Sequence, residues 1–298
     1  MIVDNKELVI RGRFIKKVQL KSEWDVDIKE PEAFIKQIKN SKIKADIFTF
    51  MQRLPESRPK YNYQMIWDSR AAIPITTYDH WHKNQLHQNP RNKMRIAQKK
   101  GVIVKLCEFN DDLIEGITNI YNETPIRQNK RFPQYGIDFN ATRKAHITYI
   151  DRAHFIGAYY NDEMIGFLKL VSTENYMRTM GILAKESHRD KAPMNLLVAK
   201  AVEICAKKGI PYFVYGKYNY GKGGSETFRE FKHYLGFESI VLPRYYIPLN
   251  AWGSLIINLN LHLKLIDILP KKLLGVLLQM RNNWHMKKYS KLPRNNNC

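Results

Sequence analysis

Apolar positions along this chain recur with two periods, and the switches between them predict its elements. Residues 7–20, "ELVIRGRFIKKVQL", are β-branched and roughly alternating, which predicts one strand. "EPEAFIKQIKNSK" takes up helical spacing just after a proline. "ADIFTFMQRLP" is an unbroken apolar run, predicting a buried strand stopped by Pro55. "RPKYNYQMIWDSRAAIPI" predicts strand, turn and strand, and Thr77 is placed to cap a helix through "YDHWHKNQLHQ". Asn89-Pro90 opens a helix over "PRNKMRIAQKKG" that Gly101 closes. From residue 102 the predicted order is strand, two helices, hairpin, strand, helix, strand, helix, strand. The hairpin turns at Asn161-Asp162, within "HFIGAYYNDEMIGFLKLV". "MNLLVAKAVEICAKKG" is apolar around most of its circumference and should be a buried helix. It ends on Lys207, Lys208 and Gly209. This order predicts an α/β or α+β layer fold, a mixed central sheet flanked by helices.

One helix breaks its own pattern. In "FREFKHYLGFE", residues 228–238, Phe228, Phe231 and Leu235 fall on one face at i, i+3 and i+7. Lys232, four residues after Phe228, lies inside that face, while Arg229, Glu230 and His233 take the wet side. Either the lysine stem packs and the ammonium escapes to water, or the charge is held inward for a purpose.

Composition narrows the partners. The 298 residues are 44% hydrophobic and 12% aromatic, enough for a real core in one large domain or two joined ones. Net charge is +21, which predicts an anionic partner: a phosphorylated cofactor, RNA or an acidic membrane surface. Cys107, Cys205 and Cys298 are far apart and form no CxxC pair, so disulfides and a zinc knuckle are not expected and a reducing cytosol fits. The two histidines of His80-Trp81-His82 diverge on a helix, so no metal site is expected. No apolar run is long enough for a signal peptide or a spanning helix.

Three segments carry a resemblance. "HFIGAYYNDEMIGFLKLV" resembles the central hairpin of the GNAT acyltransferase superfamily. "MGILAKESHRDKAPMNLLVAKAVEICAKKG" resembles its strand, pyrophosphate loop and helix, and "FREFKHYLGFE" its closing helix and Gly-Phe turn. The resemblance, with the element order, covers about residues 102–250. The superfamily loop reads Arg/Gln-x-x-Gly-x-Gly/Ala. Here Arg189-Asp190-Lys191-Ala192-Pro193-Met194 keeps the first residue and neither glycine. The Fem-like branch, which acts on peptidoglycan precursors, and its exopolysaccharide-cluster relatives share this erosion. They carry Phe-Lys on the closing helix, as Phe231-Lys232 does, and a basic junction helix similar to "YDHWHKNQLHQNPRNKMRIAQKKGVIV". The resemblance implies three regions: a partial acyltransferase-like half with the junction helix over 1–101, a GNAT-like domain over 102–250, and a basic tail over 251–298.

It also implies an N-acyltransferase whose donor is acyl-CoA or aminoacyl-tRNA, with no metal. The acceptor is an amine of an envelope precursor such as an amino-sugar, a lipid-linked saccharide or a peptide stem. Acyl transfer needs a deprotonated amine, a polarised carbonyl and a stabilised leaving group. Lys232 is placed to stabilise charge, and Glu186 and His188 to act as bases. Ile182, Leu183, Ala184, Arg189, Lys191, Ala192 and Met194 would line the donor, with strand amides polarising the carbonyl. The irregular loop at 125–139 offers Arg127, Arg131 and Tyr135 to a substrate, beside Tyr218, Tyr220 and Phe231. The competing class is a non-catalytic acyltransferase fold that binds an anionic glycolipid or RNA. The tail, with eight Lys/Arg against one Asp, predicts two amphipathic helices broken at Pro270. They either dock on the domain or lie in an anionic interface, placing a cytoplasmic protein on the inner face of the membrane.

Overall fold

The structure, a computed structural model, describes residues 1–218, 226–263 and Gln279. The chain opens with strands β1 (Ile2–Val3), β2 (Lys6–Arg11) and β3 (Lys17–Leu20), then helix α1 (Pro31–Asn40) and strands β4 (Ile47–Met51) and β5 (Gln64–Pro74). A turn α2 (Tyr78–His80) runs into a π-helical turn at Trp81–Gln85, followed by α3 (Gln88–Lys99) and β6 (Ile103–Cys107). Next come α4 (Asp111–Asn122), the short β7 (Ile126–Arg127) and β8 (Lys130–Arg131), and α5 (Phe139–His146). The central strands are β9 (Ala153–Tyr160), β10 (Glu163–Ser172) and β11 (Met177–Ala184). α6 (Pro193–Lys207), β12 (Tyr212–Gly216), α7 (Glu226–Tyr234), β13 (Glu238–Pro248) and α8 (Ala251–Asn258) follow.

These elements form two compact units. Among the described residues the first holds 1–70, 217–218 and 239–263, and the second holds 71–216 and 226–238. Strand β5 therefore gives its Gln64–Arg70 part to one and its Ala71–Pro74 part to the other.

The first unit orders its strands β1-β2-β3-β4-β13-β5. β2 pairs antiparallel with β3, β3 parallel with β4, and β4 antiparallel with β13. Its core is Leu8, Val18, Leu20, Phe34, Ile38, Phe48, Phe50 and Tyr245. The single strand expected over 7–20 is two: Leu8 pairs with Leu20 across a turn. Gly12 makes that turn at a φ of +97°, where a Cβ would stand 2.0 Å from the Ile15 carbonyl oxygen. The reverse error occurs at residues 58–75, where the expected strand-turn-strand is one long strand, Gln64–Pro74.

The second unit orders its strands β5-β12-β11-β10-β9-β6. The β9–β10 hairpin turns where expected, with Asn161 and Asp162 both at positive φ, as a two-residue hairpin turn requires. Thr77 caps its turn by accepting from the His80 amide, and Asn110 caps α4 by accepting from Leu113. α6 buries ten of its fifteen residues, as its apolar circumference demands. Leu113, Ile117 and Ile120 of α4 pack on Phe155, Met164 and Phe167 of the hairpin. The mixed α/β architecture is the one the element order predicted.

Candidate active site

Parallel strands β11 and β12 pair at only two positions, Met177 with Phe213 and Arg178 with Val214. β11 runs on to Ala184, so one of its edges has no strand partner over residues 179–184. Its other edge is held by β10, where Ile182, Leu183 and Ala184 lie opposite Leu168, Phe167 and Gly166. A bulge gives β11 the extra residue Met180 where the parting begins. Alternate backbone groups on the open edge point into the gap, which gives donors for a polarised carbonyl.

Lys232 of α7 lies against β12, the strand that parts from β11. Its side chain is 0% exposed, so the ammonium does not reach water. Nζ lies 4.5 Å from the ring centre of Phe228 and 5.3 Å from that of Tyr215, the latter on β12. Burial pulls its pKa down to about 8. The C-terminal end of α7 is pinned in place. Trp81 donates from Nε1 to the Leu235 carbonyl at 2.9 Å, and the His87 amide to that of Tyr234 at 2.9 Å. Gly236 ends the helix at a φ of +85°, where a Cβ would meet Trp81 and Gln85 within 3.2 Å.

On the β11 side, a 3-10 turn at Glu186–Lys191 leads from the strand into α6. The carboxylate of Glu123, from α4, accepts from the amides of Glu186 and Ser187 at 2.7 and 2.9 Å, and from the Ser187 hydroxyl at 2.7 Å. Burial works to raise the Glu123 pKa, but these bonds and Arg127 outweigh it and hold the carboxyl below its usual value. Arg127 donates to Glu123 at 2.9 Å, to the Ala184 carbonyl at 2.7 Å and to the Ile120 carbonyl at 2.9 Å. This pair ties α4 to the end of β11 and to the loop beyond it.

A further polar group lies behind β11. Tyr121 and His146 share a hydrogen bond at 2.9 Å, and the imidazole packs edge-on to Phe167. Burial and the neighbouring Lys169 cation push the His146 pKa down to about 4. Gly181 faces this ring, and a Cβ there would come within 3.8 Å of it.

No protein-family model matches the chain, and no curated protein matches its sequence. Solved structures do match in fold. FemX aligns with a TM-score of 0.57 at 12% identity, over 85% of this chain and 86% of that one. L-PGS from Bacillus licheniformis aligns with a TM-score of 0.56 at 11% identity, over 85% of each chain. The C-terminal domain of a putative lysylphosphatidylglycerol synthetase from Agrobacterium fabrum gives 0.56 at 14%, over 84% and 82%. The chain shares its fold with these proteins, a GNAT-like fold.

That fold implies coenzyme A as one donor, whose diphosphate requires free amides at the loop and helix start. The residues present do not fit it. Glu123 occupies the Glu186 and Ser187 amides, and those of His188 and Ala192 bond inside the loop to Lys185 and Arg189. Position 193 is a proline with no N–H, and Ala192 holds the left-handed conformation, at a φ of 44°, that a glycine would adopt freely.

The GNAT fold gathers the remaining expected residues unevenly. Ile182, Leu183 and Ala184 line the open edge; Arg189, Lys191, Ala192 and Met194 follow in the loop and first helical turn. Glu186 is exposed, its carboxylate 3.7 Å from Arg127, and His188 shares a hydrogen bond with Ser187 at 3.0 Å. Arg127 is buried and engaged internally, while Arg131 is exposed and Tyr135 half-buried in the same loop. Phe231 stacks along Phe228 on α7. Tyr218 belongs to the first unit, and Tyr220 lies outside the described residues, as does all of the tail past residue 263 except Gln279. The sequence reading missed Glu123, His146 and Lys169. A signal was present for Lys169, a lysine inside the apolar run "GFLKLV", and for Glu123, four residues before Arg127 on helical spacing.

Proposed function

We propose that this protein is an N-acyltransferase that moves an aminoacyl group from aminoacyl-tRNA to an amine of a cell-envelope precursor: an amino-sugar, a lipid-linked saccharide or a peptide stem. The observation that carries this reading is the β11 edge left without a strand partner over residues 179–184, with the enclosed Lys232 cation against Tyr215 of β12, the strand that parts from it. The donor's carbonyl lies along that edge, and its amides and Lys232 stabilise the oxyanion. The amine nitrogen attacks, the N–C bond forms and the C–O bond to the terminal ribose breaks. Glu186 or His188 takes the amine proton, directly or through water, and a proton is returned to the ribose oxygen. The choice of tRNA over acyl-CoA rests on the loop, where Glu123 takes the Glu186 and Ser187 amides and the His188 and Ala192 amides bond within the loop.

The same occupied loop favours a second reading, in which the fold no longer catalyses and holds an anionic glycolipid or RNA. One experiment separates them. Pure protein is incubated with charged tRNA pools and with acyl-CoA, each with and without amine-bearing precursors, and deacylation is recorded. Acceptor-dependent deacylation of tRNA is expected. Consumption of acyl-CoA overturns the donor assignment, and no deacylation of either donor supports the non-catalytic reading.

A further inference from the structure

Helix α8, in the first unit, carries two apolar stripes, of which only one is covered. Asn250 caps it by accepting from the Gly253 amide at 2.7 Å. Gly253, Ile256 and Ile257 face inward, and both isoleucines pack with Ile47 and Tyr246. Trp252, Leu255 and Leu259 recur at i, i+3 and i+7 on the opposite side and are 50%, 46% and 58% exposed. Leu261 follows at 46%, and residues 251–261 contain no charge. A contiguous exposed apolar stripe of this kind marks an interaction or membrane surface. The neighbouring β2–β3 turn repeats the pattern: Ile15 packs against the Ile256–Ile257 cluster, and the residue before it, Phe14, is 87% exposed.

Lysines surround the start of this surface. A groove of about 290 Å³ beside the cap residue Asn250 is lined by Lys16, Lys39 and Lys44. None of the three forms an ion pair among the described residues. Asp46, the acidic residue of the groove, is turned to the Lys16 amide at 2.8 Å and to Asn250 at 3.2 Å. Arg13 lies over the Phe14 ring at 5.9 Å. Protein interfaces are depleted in lysine. Exposed leucine, tryptophan and phenylalanine rimmed by cations instead match the acyl boundary and phosphates of an anionic bilayer.

We propose that α8 and the β2–β3 turn form a docking surface for a membrane rich in anionic phospholipid. Trp252, Leu255, Leu259, Leu261 and Phe14 enter the interface, and Lys16, Lys39 and Lys44 meet the headgroup phosphates. This surface is independent of the acyl-transfer reading, because vesicle binding is measured without turnover. It also differs from docking by the more distal tail, whose lysines begin at Lys264.

Flotation of the full chain with vesicles of phosphatidylcholine alone, or with phosphatidylglycerol added, tests it at low and high salt. Binding to the anionic vesicles that weakens with salt is expected. Trp252→Ser with Leu255→Ser and Leu259→Ser should weaken it by tenfold or more at unchanged melting temperature, since these side chains face away from the core. Neutralising Lys16, Lys39 and Lys44 to Gln should weaken it on the order of tenfold and flatten the salt dependence. Unchanged binding in both variants overturns the proposal and assigns any membrane affinity to the distal tail. A fall in melting temperature for the serine variant overturns it as well, since the face is then covered by the chain itself. So does conversion of a dimer to a monomer by those substitutions with vesicle binding unaltered.

Discussion

Lys169 and Lys232 are both wholly enclosed in the second unit, and burial pulls both pKa values down to about 8. What meets the ammonium differs. Lys169 donates to the carbonyls of His146 and Thr148 at 2.7 and 2.6 Å and to the Thr148 hydroxyl at 3.1 Å. It caps the carbonyl end of α5, where a cation also answers the helix dipole. Lys232 has its ammonium over the faces of two rings, Phe228 and Tyr215, at 4.5 and 5.3 Å, where Lys169 has one, Phe155, at 5.5 Å. One enclosed lysine fixes a helix end; the other lies against Tyr215 of β12 and is the one proposed above to act on the donor. Burial and a lowered pKa are common to both, so they do not by themselves tell a structural cation from a functional one.

The comparison breaks first at turnover. Lys232→Met keeps the bulk of the stem and removes the charge, so activity should fall on the order of 10²–10³-fold while the melting temperature holds. Near-normal turnover would make Lys232 a packing residue like its counterpart. Lys169→Met should do the reverse: it leaves three oxygen acceptors without their donor and destabilises the fold by about 2–3 kcal/mol. Denaturant titration measures that loss, and an unaltered midpoint would remove the distinction between the two sites.

The pH dependence sharpens the contrast. Each lysine loses its proton near pH 8 when folded and near its ordinary 10.5 when unfolded. Between these values the unfolded chain binds more protons, so each lysine's penalty on folding is relieved as pH rises through that window. The stability of wild type relative to either methionine variant should therefore improve from pH 8 to 10.5, as thermal melts will register. Turnover should move the opposite way, falling above pH 8 as Lys232 loses its charge. Lys232→Arg should stay active to higher pH if charge is the requirement. The smallest effect is expected at the loop. Glu123→Gln weakens a charged anchor, costs about 1 kcal/mol, and should speed amide exchange at Glu186 and Ser187. Unchanged exchange there would mean that the carboxylate does not close the loop.

How much the sequence revealed depended on the range of the interaction. The Asn161-Asp162 turn, the cap at Thr77 and the buried circumference of α6 rest on residues within a few positions of one another. The inward Lys232 was legible for the same reason, since helical spacing alone places it among Phe228, Phe231 and Leu235. Gly12 was the local failure, because alternation on both sides of it reads as one strand unless the turn is recognised.

The sequence by itself determined the periods, the element order and the direction in which Lys232 points, because backbone geometry fixes which side chains share a face. Only the tertiary structure decided what each buried charge meets. Glu123 reaches amides 63 and 64 positions along the chain, and Lys169 reaches carbonyls 23 and 21 positions back. No periodicity encodes such partners. They follow from α4 and α5 packing on the hairpin, which also turns an anion loop into an internally bonded one.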